Sequence, residues 1–217
     1  MLIVVDLMLG GGRCHFLPNT TDGSCRGDER DITRLATDEY GWNYINSREE
    51  FDKLNLGKSA KLPLLGLFAS ANFPFEIDRR NREDKYPSLD EMARTALKAL
   101  EVATQDSDKG FFLMIEGSRI DHAGHGNDPA AQVHEVLAYD TAFASVVEFL
   151  NRSSDDGVLV ATSDHETGGL AVARRRSPML NWTTRTTNSY KQNCNQAILN
   201  TGGFLRFSPT CQALQNI

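Results

Sequence analysis

Two short stretches of this chain end in residues able to hold metal ions. Gly110 to His125 reads G-F-F-L-M-I-E-G-S-R-I-D-H-A-G-H, and Val158 to His165 reads V-L-V-A-T-S-D-H. Carboxylate oxygens and imidazole nitrogens are donors suited to zinc, while an isolated carboxylate such as Glu116 suits a harder cation such as magnesium. Asp121 and His125 stand four residues apart, which lines up two donors if the segment makes a helical turn. Gly117, Gly124 and Gly126 suggest instead a loop of unusual backbone angles that lets an ion come close. Asp164 and His165 are neighbours and need an irregular turn to reach one ion together, a turn that Gly168 and Gly169 make feasible. An Asp-His dipeptide alone is more often a turn or a helix cap. Here both groups follow apolar runs, and that placement favours a metal site.

The elements that must position these donors are legible in outline. Phe111–Ile115 and Val158–Ala161 have the length and residue types of fully buried strands. A strand core cannot keep charge, so the donors are expected just past the strand ends, where ligands gather in open α/β sheets. Upstream, Leu2–Leu9 reads as a strand closed by Gly10-Gly11-Gly12, a structural turn with neither G-x-G-x-x-G spacing nor a P-loop lysine. Asp31–Glu39 reads as a helix and Trp42–Ile45 as a strand. Ser47 and Glu50 form a capping box for a helix to Leu54, and Leu62–Phe68 is a strand with Pro63 at its beginning or at an edge. Phe73–Pro87, with Arg79, Arg80 and Arg82, reads as a solvated loop.

A second capping box, Ser88 with Glu91, opens a helix to about Ala103. Asp128 and Pro129 start another, which Val133, Val136, Leu137, Phe143, Val147 and Leu150 carry to about Asn151. His134 is expected on its surface. The alternation is the βαβ rhythm of a partial doubly wound, mainly parallel sheet flanked by helices. Residues 1–176 are expected to form a partial α/β domain, and 177–217, rich in Asn, Thr and Gln, a divergent or surface segment of it.

Composition sets the outer bounds. The chain has 217 residues, 40% hydrophobic and 24% charged, with a net charge of −6. That acidity argues against nucleic acid or an anionic membrane as the main partner. No run of eighteen apolar residues exists to span a membrane. Met1–Leu9 lacks a basic leader and contains Asp6, so it reads as a strand and not a targeting segment. The four cysteines, at 14, 25, 194 and 211, leave one disulfide, two or none open, and sequons occur at Asn19, Asn151 and Asn181.

The wording E-G-S-R-I-D-H-A-G-H-G-N-D at Glu116–Asp128, followed by T-S-D-H-E-T-G-G-L at Thr162–Leu170, closely resembles the alkaline phosphatase family. G-G-G-R at Gly10–Arg13 and F-E-I-D-R-R at Phe75–Arg80 fit its fungal vacuolar members best. The resemblance runs from about residue 3 to residue 175. It implies hydrolysis of phosphate monoesters through a serine nucleophile, with two zinc ions and one magnesium ion. Carried onto matching positions, Glu116 corresponds to a magnesium ligand, Asp121 and His125 to ligands of one zinc, and Asp164 and His165 to ligands of the other. His122 falls where members carry lysine or histidine near the phosphate. Two such ions can stabilise both the attacking and the leaving oxygen.

The family's nucleophilic serine, its phosphate-gripping arginine, an early shared aspartate and the remaining magnesium ligands precede the matched residues. Its last zinc histidine follows them, and no histidine follows His165 here. The expectation is therefore a partial chain, inactive by itself. The resemblance further implies a homodimer in a vacuolar or secretory lumen. Two other readings stand beside it: a non-catalytic metal-binding relative, and another metallohydrolase of the same superfamily.

Overall fold

Leu64, Leu65 and Leu67 form a run with no polar residue, and a run apolar on both faces must be covered on both sides. They build β3 (Leu64–Leu67), the middle strand of a three-stranded, all-parallel sheet in the order β1-β3-β2. β1 is Leu7–Gly10 and β2 is Asn43–Ile45. Leu7 and Asn43 lie opposite Leu64 on either side. Pro63 just precedes the paired residues, so its missing N–H costs the ladder nothing, and its carbonyl accepts from Asn43 N at 2.8 Å. The computed structural model describes residues 5–153 and 156–167, and the chain divides into two units, 1–159 and 160–217. The expected strand start at Leu2 and the segment 177–217 lie outside the described residues.

The helices of the first unit follow their caps. Asp31 caps α1 (Ile32–Arg34) through Arg34 N at 3.0 Å, and α1 runs on into a wider π-type turn over Leu35–Glu39. Ser47 and Ser88 each make the expected capping box, opening α2 (Arg48–Asp52) and α4 (Leu89–Thr104). Between them, Phe51, Leu54, Leu64 and Phe68 form the core cluster, with the Phe51 and Phe68 rings edge to face at 5.3 Å. Phe73–Pro87 is not wholly a loop: Glu76–Arg79 is a short helix, α3. Ser118–His125 forms α5, and Pro129–Arg152 forms α6, capped by Asp128 through Ala131 N at 3.0 Å. Asp90 and Arg94 of α4 hold α6 through Ser145 and Glu148.

The glycine triplet is structural, as expected. The backbone after β1 turns onto the segment after β3, with Gly12 N donating to Ala71 O at 2.7 Å and Arg13 N to Ala69 O at 3.0 Å. A β-carbon on Gly11 would lie 2.6 Å from Ala71 O, so only glycine fits. Cys14, in the short turn that follows, is bonded to Cys25.

The expected strands at Phe111–Ile115 and Val158–Ala161 do not form. Neither pairs with the described sheet, and an extended segment without a neighbouring strand has no partner for its N–H and C=O groups. Phe112 and Val158 are each 89% exposed, so these apolar runs lie on the surface and not in a core. Two substitutions separate the two kinds of phenylalanine. Phe51→Ala should lower the unfolding free energy by about 3–5 kcal/mol in urea titrations, because it opens a core cavity. Phe112→Ala should stay within about 0.5 kcal/mol; a loss like that of Phe51 would restore the buried strand.

Candidate metal centre

The donors at 121 and 125 sit on a helix, which settles the choice between helical turn and loop. Gly117 begins α5 without a side-chain cap, and the helix closes at Gly126, whose N–H donates to His122 O at 3.0 Å. Asp128 N then returns to Ala123 O at 2.9 Å, joining the end of α5 to the cap of α6. Ala123 is fully buried, and a β-carbon on Gly117 would meet Tyr139 of α6 at 2.9 Å. Small residues at both ends thus let α5 lie close along α6, with its acidic and imidazole face turned out.

On that face Asp121 Oδ1 and His125 Nε2 are 3.4 Å apart. In the second unit, Asp164 Oδ2 and His165 Nε2 are 3.3 Å apart. Two donors at about 2.0–2.1 Å from a tetrahedral zinc ion are themselves separated by about 3.3–3.4 Å. Both pairs therefore already span one edge of a zinc tetrahedron, and both offer the oxygen-plus-nitrogen set that zinc accepts. Each supplies two protein ligands, where a catalytic zinc usually takes three.

The pairs differ in readiness. Thr167 N donates to His165 Nδ1 at 3.0 Å, which makes Nδ1 an acceptor and puts the neutral ring's proton on Nε2, facing Asp164. An ion taken at Nε2 would shift that proton to Nδ1 and break the Thr167 bond, so this turn must rearrange to ligate. Glu116 is exposed one residue ahead of Gly117, outside any regular element. His122 is exposed on α5, turned about 100° from its neighbour Asp121.

Beneath α5 lies a polar junction that the sequence reading missed. His134 of α6, expected at the surface, is 9% exposed, and its neighbour Glu135 is 8% exposed. Arg79, expected to be solvated, is buried and bonds Glu76 Oε1 at 2.8 Å and Tyr86 O at 3.1 Å. Glu135 Oε1 accepts from Glu76 N at 2.6 Å. Arg119 of α5 lies 4.0 Å above the Phe75 ring. The buried Nε of Arg119 finds no hydrogen-bond partner among the described residues. Burial pushes the Glu135 carboxyl up, against the Glu76 N–H and the charges of Arg119 and Arg79. Burial, reinforced by Arg80 and opposed by Glu76, pulls His134 down. The signal was spacing: Ala131, His134, Glu135, Ala142 and Ser145 fall on one helical face of small and polar residues.

With this geometry in hand, comparison with known proteins is informative. The family model for alkaline phosphatase matches residues 1–202. The chain is 53% identical over 182 residues to the repressible alkaline phosphatase of Saccharomyces cerevisiae, covering 79% of this chain and 32% of that protein. It is 47% identical over 174 residues to an alkaline phosphatase of Schizosaccharomyces pombe, covering 80% and 31%. Among solved structures, the alkaline phosphatase of Thermus thermophilus superposes with a TM-score of 0.55 at 34% identity, over 67% of this chain and 28% of that one. The chain thus spans about a third of the length of the curated relatives it matches.

His134 makes a test of the junction. The unfolded chain takes up a proton there near the ordinary value of 6.5 and the folded chain only at lower pH, so in that window the unfolded state binds more protons. Stability should therefore fall as the pH drops from about 7 to about 5.5, by less than about 1.4 kcal/mol per pH unit from this group. His134→Gln should flatten that slope in urea titrations at several pH values. An unchanged slope would mean that the imidazole is not held neutral.

Proposed function

The chain belongs to the alkaline phosphatase family, and from that premise we propose that the complete protein hydrolyses phosphate monoesters with zinc and magnesium. In this reading Asp121 and His125 hold one zinc, Asp164 and His165 the other, and Glu116 a magnesium ion. The observation that carries it is the separation within the two Asp–His pairs, 3.4 and 3.3 Å, each matching an edge of a zinc tetrahedron.

The metal ions would supply Lewis acidity at the phosphoryl oxygens and neutralise charge developing in the transition state. The residues of this chain do the holding. Two carboxylates and two imidazoles offer the donors, and α5 fixes one pair on a helical face. Glu116, on the extended approach to α5, gives a hard oxygen donor. His122 points from the same helix in another direction and is read as reaching the phosphate through water. A net charge of −6 leaves binding of an anionic substrate to the ions.

We infer further that these 217 residues alone turn over no substrate, the nucleophile and a third ligand for each zinc lying elsewhere in the complete enzyme. A homodimer in a vacuolar or secretory lumen completes the reading. The Cys14–Cys25 bond supports an oxidising compartment. Among the described residues no helix is long and apolar enough to cross a membrane. Residues 177–217 are taken as a divergent or surface segment of the same domain as 1–176.

The test is direct. With zinc and magnesium at alkaline pH, the chain should hydrolyse p-nitrophenyl phosphate no faster than its Asp164→Ala/His165→Ala variant. Turnover that disappears in that variant would place the nucleophile within these residues. Zinc binding, followed by competition with a chromogenic chelator, should weaken at least about tenfold in Asp121→Ala/His125→Ala. Equal affinity would remove those two residues from the ligand set.

A further inference from the structure

We propose that Glu135 is a positioning residue of the metal centre. From α6 it clamps α5 and α3 together, so that Asp121 and His125 keep their separation. The inference rests on the zinc reading of that pair given above. Its basis is a convergence of three elements on two adjacent residues, Phe75 and Glu76. Arg119, in the first turn of α5, covers the Phe75 ring at 4.0 Å. Glu135 takes the neighbouring Glu76 N–H at 2.6 Å. Phe75 is the residue before α3 and cannot cap that helix with its own side chain, so a carboxylate 59 residues away in sequence does so.

Charge holds the third side. The Arg119 guanidinium is partly buried and its Nε has no hydrogen-bond partner among the described residues. Burial disfavours its charged form, and the charge of Glu135 opposes that. One helical turn further along α6, Tyr139 stands where any side chain at position 117 would collide. Glu135 and Tyr139 thus lie on the face of α6 that receives the start of α5. Asp121 comes two residues after Arg119 and His125 six residues after it. Loosening at the start of α5, which has no side-chain cap of its own, therefore frays the turn that holds Asp121 against His125.

Glu135→Gln and Arg119→Met separate positioning from plain stability. Glutamine keeps an oxygen for Glu76 N–H but gives up the charge that faces Arg119. Methionine keeps the apolar stack on Phe75 and gives up the cation. Zinc affinity of the full chain would be measured by chelator competition, well below each variant's melting temperature. Hydrogen exchange would be followed over 76–79 and 118–125.

Each single variant should weaken zinc about tenfold and the double variant little more, because the two side chains act as one clamp. Exchange should quicken over 118–125, and Glu135→Gln should leave 76–79 as it was. A merely structural role would lower the melting temperature and leave the affinity of the folded chain alone. Affinities within twofold of the unmodified chain, or losses that simply add in the double variant, would overturn the clamp. An unmodified chain that binds zinc no better than Asp121→Ala/His125→Ala would instead overturn the zinc reading, and this inference with it.

Discussion

A carboxylate taken out of water loses several kcal/mol of hydration and persists only where donors and cations replace it. Glu135 is that carboxylate, and the packing of three helices follows from meeting its needs. α3 contributes a backbone N–H, α5 the charge of Arg119, and α3 carries an ion pair of its own, Glu76 with Arg79. α6 is long enough, at 24 residues, to reach this junction with one end while its other half lies against α4. The sheet and its apolar core under α2 stand apart from this arrangement and depend on ordinary burial. The described residues therefore hold two stabilising centres of different kinds, and Asp121 and His125 lie on the helix that belongs to the polar one.

That division bears on how the proposed metal ions would be met. Both Asp–His pairs have a donor separation suited to zinc before any ion arrives, which spares an ion the cost of drawing them together. They do not stand equally close to ligation. The α5 pair rides on a helix whose backbone bonds are already made. The 164–165 pair lies in a turn where Thr167 occupies the second ring nitrogen, and an ion must compete with that bond. The outer partner of a metal-bearing imidazole normally accepts its proton. Thr167 N–H donates one instead, so an ion taken at Nε2 would exchange this partner for an acceptor.

How much of this was legible depends on whether the cause was local. The capping boxes at Ser47 and Ser88, the Asp128–Pro129 start of α6 and the glycine turn after β1 are each decided within a few residues, and each stands where the sequence puts it. The family wording around Glu116–Asp128 likewise led to the right family. What was misread depends on distant partners. Phe111–Ile115 has strand composition, but a strand exists only with neighbours, and none among the described residues lies beside it. On α6 the apolar spacing pointed to a face that includes Leu137 and Val147, both well exposed, whereas the buried face is built from Ala131, His134, Glu135, Ala142 and Ser145. Hydrophobic periodicity cannot find a face whose contacts are small and charged. The Cys14–Cys25 pairing was open for another reason: four cysteines allow several pairings, and a separation of 11 residues does not choose among them.

The exposed ribbon that precedes α5 has a consequence for the life of the chain. Phe112 and Met114 stand 89% and 78% open to water on backbone that no described strand pairs. Apolar side chains on an open edge are the usual template for one chain to add to another, and charge, proline or a bulge normally guards against it. Between Gly110 and Glu116 there is no such guard. The stretch that leads into the proposed metal ligands is thus also an open apolar one among the described residues. A ribbon left this open gives one copy of the chain a place to adhere to another, and the more so as the concentration rises.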